Sequence, residues 1–316
     1  MKVAATIVAS RRDRLAESIA TEGYVPLGTL CRKLGVSIAT ARRDLAHLQS
    51  SGRISRVRGG ALPRHKRDAG EPDTSSRRGI ALHSASESIA SLFKSPGVHA
   101  LKEAICDVGR RAWRRGLIDG ASGHFSARVG EFFLCIPAGV SRGFLRPEML
   151  CLVDATGNQI ASHDHWKRSP EVLADLAIYR AVPAAVAVAH AHPPHATALS
   201  ASDVELPHGL LPEFEFFAGP LARADFRMPG SPELANLVGA LAPNHRSILL
   251  RNHGVVCWGT NVEDAYLKLE MTEAYCQTLA IATQMPVPPT LIPPGDIAAL
   301  LEMKDRLGIP DPRLAD

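Results

Sequence analysis

The stretch that most limits the possible folds is a short apolar run that ends in two histidines and two prolines. Residues 184–189 are all alanine or valine, and they lead directly into His190, His192 and Pro193. A short apolar run that is closed by prolines, which cannot donate to a sheet ladder, is typical of a buried strand ending at Pro193. Because side chains alternate along a strand, His190 and His192 are expected to point to the same side. Two imidazoles on one face form half of a metal site.

A third histidine completes a candidate set of metal ligands. His253 follows a second apolar run, residues 247–250, and stands in a polar turn with Asn252 and Gly254. Three neutral imidazoles around an ion with an open fourth position form the ligand set of a catalytic zinc or a similar divalent ion. The chain contains 13 histidines, and a lone histidine among apolar residues more often bonds within the core than binds a metal. The spacing alone therefore leaves both roles open.

Length and composition describe an ordinary folded protein. The 316 residues are enough for a sizeable core and a second, small domain. No apolar run approaches the roughly 20 residues that a membrane helix needs, so no membrane partner is expected. The apolar N-terminus precedes its arginines, which is the reverse of a signal peptide. Six scattered cysteines without a Cys-x-x-Cys pair predict a cytoplasmic protein.

The charge is distributed unevenly along the chain. Residues 1–65 hold 12 lysines and arginines against 4 acidic residues, whereas the remaining residues hold 24 against 28. This difference in charge predicts that the basic first part of the chain binds a polyanion.

The basic part contains the pattern of a helix-turn-helix. Helices are predicted over residues 11–24, 27–34 and 38–49, with Ser37 as a favourable N-cap of the third. Two short helices that are joined by a glycine-containing turn form this motif. Residues 52–60 then alternate apolar and basic side chains, which predicts a small hairpin.

A specific run of residues spans this region. It comprises Leu30, Leu34, Gly35, Val36, Ser37, Thr40, Arg42, Arg43, Asp44, Leu45, Leu48 and Gly52, followed by Arg56, Val57, Gly59, Gly60 and Ala61. The run resembles the winged helix-turn-helix of DeoR-type transcriptional regulators, which implies that the helix from Ser37 enters the major groove of double-stranded DNA. The implied contacts to bases or phosphates come from Ser37, Thr40, Arg42 and Arg43, with Arg56 and Arg58 along the backbone. The alternative for these arginines is a pair with Asp44 or plain solvation.

The rest of the chain mixes helices and strands without strict alternation. Predicted helices cover residues 101–117, 262–282 and 297–306, and another runs from Ser169 to Arg180. Strands are predicted at residues 132–136 and 149–153, besides the two that end in histidines. The mixture predicts an α/β fold with a largely antiparallel or mixed sheet.

Five segments of this part form a specific set. They are Gly120–Arg128, Ile136–Val140, Ser169–Glu171, His190–Pro193 and Asn252–Gly254. Together they resemble the class II aldolase/adducin family, which implies an α/β fold with a three-layer sheet-and-helix domain, here preceded by the small winged helix-turn-helix. The predicted organisation is a DNA-binding domain at 1–62, a linker at 63–97, the aldolase-like domain at 98–284, and a proline-rich segment with a helix at 285–316. Within the linker, residues 63–80 are expected to be mobile and residues 80–93 to form a short helix.

The resemblance implies roles for the three histidines and two glutamates. It assigns His190, His192 and His253 to a divalent ion, usually Zn²⁺ with Mn²⁺ or Fe²⁺ as alternatives, and Glu171 to acid/base catalysis beside it. Cleavage beside a hydroxyketone leaves an enediolate, whose negative oxygens a divalent cation stabilises. A carboxylate whose pKa is raised by a dry site can move the proton, although an acidic residue also suits the first turn of any helix. The resemblance also places a second catalytic carboxylate near Glu213 and Glu215, of which Glu215 is favoured, although alternating Phe and Glu also suit a strand with one wet face.

The implied substrate-binding set departs from the family pattern. It comprises Gly123, His124, Ser126, Gly139 and Ser169. Polar groups that the family uses for phosphate or for proton donation are replaced by Ala121, His124, Ala138, Pro170 and Phe226, although Lys167 and Arg168 offer charge instead. The metal half of the site matches and the phosphate half differs, which places a standard sugar-phosphate substrate in doubt.

Three functions follow as hypotheses. The first is a metal-dependent lyase, cleaving a C–C bond or decarboxylating a hydroxy- or oxo-substrate, fused to a DNA-binding domain. The second is a DeoR-type regulator whose aldolase-like domain senses a small molecule. The third is a non-haem iron oxygenase on the same fold. The intact histidine set with Glu171 favours the first, and the resemblance implies a homotetramer or homodimer.

Overall fold

The protein is described from a computed structural model. It describes residues 8, 11–19, 25–26, 30–31, 33, 36–51, 53–57, 60–63, 88–163, 165–309 and 311–314, without the side chains of residues 25–26, 38, 42, 55–57 and 60–63. The chain divides into two compact units between residues 76 and 77, and each is described by itself. Residues 64–87 of the predicted linker lie outside the described residues, and residues 88–94 are helical.

The smaller unit has the predicted helix and wing. Residues 11–19 are helical, and helix α1 runs over Ile38–Ser50 with Ser37 as its N-cap, whose Oγ accepts from the Thr40 amide at 3.2 Å. Three short strands pair antiparallel in the order β1-β3-β2: β1 Val25–Pro26, β2 Ile54–Val57 and β3 Gly60–Pro63. The small core of this unit contains Leu15, Ala16, Ile19, Leu30, Leu45, Leu48 and Ile54.

A buried carboxylate joins the first helix of this unit to α1. Asp44 is 3% exposed and accepts from Arg11 Nε at 2.7 Å and from Arg12 Nε at 2.9 Å. Burial acts to raise the pKa of Asp44, but the two guanidinium groups outweigh it and lower the pKa. Among the described side chains, Asp44 therefore pairs with the first helix and not with an arginine predicted to contact DNA.

Removal of this carboxylate is expected to destabilise the smaller unit. Asp44→Ala leaves two half-buried arginines without their acceptor, so its free energy of unfolding should fall by about 2–3 kcal/mol. Since the folded pKa is lowered, the contribution should be present above the unfolded value of about 3.9 and lost as the pH falls through the folded value. Hydrogen exchange of the α1 amides, followed at increasing denaturant concentration and at several pH values, measures this free energy of unfolding. Asp13→Ala removes an exposed pair with Arg53 and should cost less than about 0.5 kcal/mol; equal effects would contradict the prediction.

The larger unit is built on one mixed sheet. Among the described residues, eight strands pair in the order β7-β6-β5-β4-β8-β11-β10-β9. The strands are β4 His124–Val129, β5 Phe132–Cys135, β6 Cys151–Val153, β7 Gln159–Ser162, β8 Ala187–Ala191, β9 Leu221–Ala224, β10 Ser247–Leu250 and β11 Gly254–Gly259. The β9–β10 pair is parallel and the other ladders are antiparallel. The prediction of a largely antiparallel or mixed sheet is confirmed.

Helices cover both faces of this sheet. They are α2 Pro96–Arg114, α3 Val172–Ala181, α4 Pro194–Ser200, α5 Pro212–Phe217, α6 Pro232–Leu241, α7 Val262–Ala282 and α8 Pro294–Arg306, with 3₁₀ turns at Arg142–Phe144, Pro147–Met149 and Pro312–Leu314. Alternate residues of β8 belong to different cores. Ala189 packs in the cluster that contains α2 and α7, whereas Val188 packs in the one that contains α3 and α6. The three layers expected for this fold are therefore present.

One segment does not have the strand conformation that its alternating residues suited. Residues 212–217, where alternating Phe and Glu suited a strand, form helix α5. Pro212 at the first turn is favourable for a helix start, and the helix stacks Phe214 on Tyr275 with ring centroids 4.4 Å apart. Burial of that ring outweighs the local alternation.

No helix in the described part of the chain combines the length and the apolar character that crossing a bilayer requires.

Candidate metal centre

Four side chains of the larger unit converge at one point. Glu171, His190, His192 and His253 each direct a ligand atom there, and these atoms all lie within 4.8 Å of one another. The Nε2 atoms of His190 and His192 are 3.2 Å apart. Glu171 Oε1 lies 3.4 Å from His190 Nε2 and 3.6 Å from His253 Nε2. The structure thus brings together the three predicted ligands and the predicted acid/base.

The sheet places these residues at the ends of neighbouring elements. His190 is in the central strand β8, paired with β4 on one side and β11 on the other, and His192 follows the strand directly. His253 lies in the tight connection between β10 and β11. Glu171 occupies the N-cap position of α3, one of the helices that cover the face of β8 to which His190 belongs by alternation.

The spacing of the nitrogens suits a bound cation. Donor atoms that bind zinc tetrahedrally at about 2.0–2.1 Å lie about 3.3 Å apart, close to the 3.2 Å between the Nε2 atoms of His190 and His192. His190 Nδ1 lies 2.9 Å from the carbonyl oxygen of Val255. Because a carbonyl only accepts, Nδ1 carries the proton and Nε2 presents its lone pair to the centre. The residues present therefore fit a divalent metal ion.

A glycine turn packs directly against the ligand strand. Gly123 has φ 75°, and a Cβ at this position would lie 2.7 Å from the carbonyl oxygen of His190. Both the left-handed backbone and the close approach require glycine. Gly123 therefore places the turn before β4 in contact with His190.

The four groups strongly influence one another's ionisation. Burial acts to raise the pKa of Glu171, but the facing imidazoles of His190 and His253 outweigh it and lower the pKa well below its usual range. The upward shift expected for Glu171 is therefore not found. Burial, with the neighbouring His190 and His253, lowers the pKa of His192 to about 4, so its imidazole is neutral and able to bind a metal at ordinary pH.

Two family models match the chain. Residues 103–280 match the Class II Aldolase and Adducin N-terminal domain, and residues 11–67 match the DeoR-like helix-turn-helix domain. The chain belongs to the class II aldolase and adducin family. The predicted family, fold class and fused architecture are confirmed.

The relatives of this chain include proteins that are named as an aldolase and as a decarboxylase. The L-fuculose phosphate aldolase of Methanococcus maripaludis is 35% identical over 168 residues, which cover 53% of this chain and 89% of that protein. The 3-oxo-tetronate 4-phosphate decarboxylase of Haemophilus influenzae is 33% identical over 171 residues, 52% of this chain and 80% of that protein. These matches support the predicted class II aldolase-type lyase.

Solved structures show the same fold. The crystal structure of YgbL from Escherichia coli is 28% identical, with a TM-score of 0.60, and the match covers 64% of this chain and 98% of that one. A structure of L-fuculose 1-phosphate aldolase has a TM-score of 0.62 over 68% of this chain and 99% of that one. Because the sequences are only 21% identical, this match shows a shared fold and nothing about activity.

Behind the class II aldolase centre lies a buried polar network. Ser126 Oγ donates to Asp175 Oδ2 at 2.6 Å and lies 2.9 Å from Tyr179 Oη. His124 Nε2 lies 3.3 Å from the same Asp175 oxygen, although neither ring nitrogen of His124 has a hydrogen-bond partner within the described part of the chain. Burial raises the pKa of Asp175 to about 7 and lowers that of His124 to about 3. Burial thus disfavours charge on both groups, and the network supports the ligand strand from behind.

Four of the five predicted substrate-binding residues are buried, and Gly139 is exposed. His124 and Ser126 are 0% and 1% exposed, and the Ser126 hydroxyl is bonded within the protein. Their predicted direct contact with substrate is not supported, because their side chains face the interior. Ser169 is also buried, and its Oγ accepts from the Glu171 amide at 3.3 Å. Gly123 is buried against His190, whereas Gly139 is exposed in its turn.

The predicted catalytic role of Glu215 is likewise not supported. Glu215 is 3% exposed on α5, outside the four-residue centre. Its carboxylate accepts from the Gly209 amide at 2.7 Å and pairs with Arg313 at 2.5 Å. Arg313 also pairs with Asp311, which bonds to Lys304. Glu215 therefore anchors the C-terminal segment.

The predicted DNA-contacting residues lie in the smaller unit. Ser37 is exposed, but its Oγ caps α1 and bonds to the Thr40 hydroxyl at 3.0 Å. Arg43 is exposed on α1. Arg42 lies in α1 and Arg56 in β2, with side chains outside the described ones, and Arg58 lies outside the described residues altogether.

Sequence reasoning missed the groups that support the centre. Asp175 follows Glu171 by one helical turn, a spacing that places both on one face of α3, so this signal was available. Tyr179 continues the same spacing. The buried Arg142 carried no local signal, because its partners are backbone carbonyls, which every residue type offers.

Proposed function

We propose that the larger unit is a divalent-metal-dependent lyase that breaks a C–C bond next to a hydroxyl or oxo group of a small substrate. The observation that carries the proposal is the convergence of Glu171 with three imidazoles inside the class II aldolase fold. The named relatives supply two reaction types, aldol cleavage and decarboxylation. Both develop negative charge on oxygen beside the broken bond.

In this proposal, separate residues bind the metal ion and transfer the proton. His190, His192 and His253 hold the ion, with the tautomer of His190 fixed by the Val255 carbonyl. A divalent ion supplies a Lewis acid that stabilises negative charge on substrate oxygens. Glu171, within 3.6 Å of two ligand nitrogens, accepts or returns the proton at its carboxylate oxygen. Zn²⁺ is the preferred ion for three imidazoles, and Mn²⁺ and Fe²⁺ accept the same donors.

The metal content of the purified full-length protein, followed by a substrate screen, tests this proposal. We expect about one divalent ion per chain, and release of an aldehyde or CO₂ from a hydroxy- or oxo-acid or a sugar phosphate. Iron with uptake of O₂ would favour the oxygenase instead. Absence of a bound divalent ion, even after incubation with excess zinc, would contradict a metal-dependent lyase.

We further propose that the smaller unit binds double-stranded DNA through α1. The match to the DeoR-like model, the exposed Arg43 and the excess of basic residues support this. The domain boundaries at 62, 97 and 284, a homodimer or homotetramer, and a cytoplasmic location belong to the same proposal. An even-numbered oligomer would suit two half-sites on DNA.

Removal of one predicted phosphate contact is expected to weaken DNA binding. Arg43→Ala should lower affinity for a mixed-sequence duplex and reduce the slope of log affinity against log salt by about 1. Fluorescence anisotropy at several salt concentrations measures both. Arg115→Ala removes an exposed charge of the larger unit and should leave the slope unchanged. Loss of affinity in Arg43→Ala at constant slope would argue against a phosphate contact.

The alternative is a regulator whose larger unit senses a small molecule. The DNA-binding module joined to the class II aldolase unit favours it. In that case the metal would bind, no screened compound would be turned over, and a bound compound would shift the DNA affinity.

A further inference from the structure

Arg142 is a buried cation that the proposed mechanism does not use. It is 1% exposed and begins the 3₁₀ turn Arg142–Phe144. A guanidinium has five N–H donors in a rigid fork, and each of them meets a backbone carbonyl. Nε donates to Ser122, Nη1 to Pro137 and Val140, and Nη2 to Ala121 and Gly123, at distances between 2.6 and 3.2 Å.

The five acceptors belong to the two turns that flank the β4–β5 hairpin. Residues 121–123 form the turn before β4, and residues 137–140 form the turn after β5. The Arg142 amide adds a sixth bond, to the Gly120 carbonyl at 3.3 Å. Arg142 therefore joins the two turns to each other through one side chain.

Both turns contact the segments that carry the metal centre. The first turn packs Gly123 against the carbonyl of His190. In the second, Pro137 is bridged to Arg168, and the Ala138 amide donates to the Lys167 carbonyl at 2.9 Å. Residues 167–169 lead directly to Glu171. Both turns therefore border the segments that carry a metal ligand and the proposed acid/base.

Burial of the Arg142 guanidinium carries a desolvation cost. Among the described residues, no carboxylate is hydrogen-bonded to Arg142, and burial lowers its pKa to about 10. Even a buried ion pair can often be replaced by apolar groups of similar volume without loss of stability, so burial of a charge is weak evidence for a role in stability. The turn that carries Arg142 also packs closely against α2, because a Cβ at Gly143 would lie 2.6 Å from the Trp113 ring.

We propose that Arg142 is a positioning residue that holds the turns 121–123 and 137–140 as one rim beside the metal centre and so determines how the substrate is held. Ala121, Ala138 and Gly139 of these turns are exposed and form the accessible part of that rim. This role rests on the lyase activity proposed above. It acts on substrate binding and leaves the metal ligands in place.

The test compares Arg142→Gln and Arg142→Lys in the metal-loaded full-length protein. Arg146→Gln is the matched control, because Arg146 is 63% exposed and pairs with Glu148. Amide exchange followed by mass spectrometry should accelerate about tenfold in both turns of Arg142→Gln, including Ser122 and Ala138, and less in Arg142→Lys, which keeps three donors. Metal content and exchange in β8 should match the wild type.

With the substrate found by the screen, KM should rise by about tenfold or more in Arg142→Gln while kcat stays within about threefold. Unchanged exchange in either turn, loss of metal, or a fall in kcat at constant KM would overturn the positioning role. If the wild type turns over no compound but both turns loosen together, the proposed activity fails and the link between the turns stands.

Discussion

Replacement of His190 by alanine is expected to remove the bound metal. His190 is 4% exposed, and its Nε2 lies within 3.4 Å of both His192 and Glu171. Loss of a supporting residue around a metal typically costs 10–100-fold in affinity, so loss of a ligand should cost at least about 100-fold. Metal analysis after dialysis should show a fall from about one ion per chain to less than about a tenth, and turnover should vanish.

His99→Ala is the control for this experiment, because His99 is an exposed residue of α2 that pairs with Glu103. It should keep the wild-type metal content. A thermal transition of His190→Ala that resembles the metal-free wild type would show that the fold survives. If the variant kept its metal through dialysis, the three-histidine site would be wrong.

Glu171→Gln is expected to separate metal binding from catalysis. The amide has nearly the same shape as the carboxylate, so the three histidines should still hold the ion. It cannot accept the proton, however, and positioned acid/base groups contribute about 10²–10⁴-fold to the rate. We therefore expect metal content near that of the wild type with kcat reduced by a factor in this range.

Steady-state kinetics on the substrate found by the screen measures this loss. Glu103→Gln removes an exposed carboxylate of α2 and should leave kcat within about twofold. Full activity in Glu171→Gln with metal bound would remove Glu171 from proton transfer. Loss of both metal and activity would instead make Glu171 a fourth ligand.

Together, His190→Ala and Glu171→Gln distinguish the lyase, the sensor and the oxygenase. A lyase should lose turnover in both and metal only in His190→Ala. A sensor should show no turnover at all but a ligand effect on DNA binding that His190→Ala abolishes. An oxygenase should lose iron and O₂ uptake together.

The residues with repeated local signals were predictable. Ser37 caps α1 as expected, because an N-cap serine acts on the amide of Thr40 three residues on. The long helix Val262–Ala282 was also predicted with its bounds, since good helix formers run without interruption. Residues 212–217 were not, because the stacking of Phe214 on a distant helix outweighed their alternation.

The sequence by itself determined the family, the two-part organisation and the three histidines with Glu171, because these depend on residue type and on spacing within short segments. Only the tertiary structure decided that His124 and Ser126 face a buried network and that Glu215 pairs with Arg313. It also showed that Arg142 joins two turns through their carbonyls. Burial and pairing depend on which distant segments meet across the sheet, and backbone acceptors are the same in every sequence.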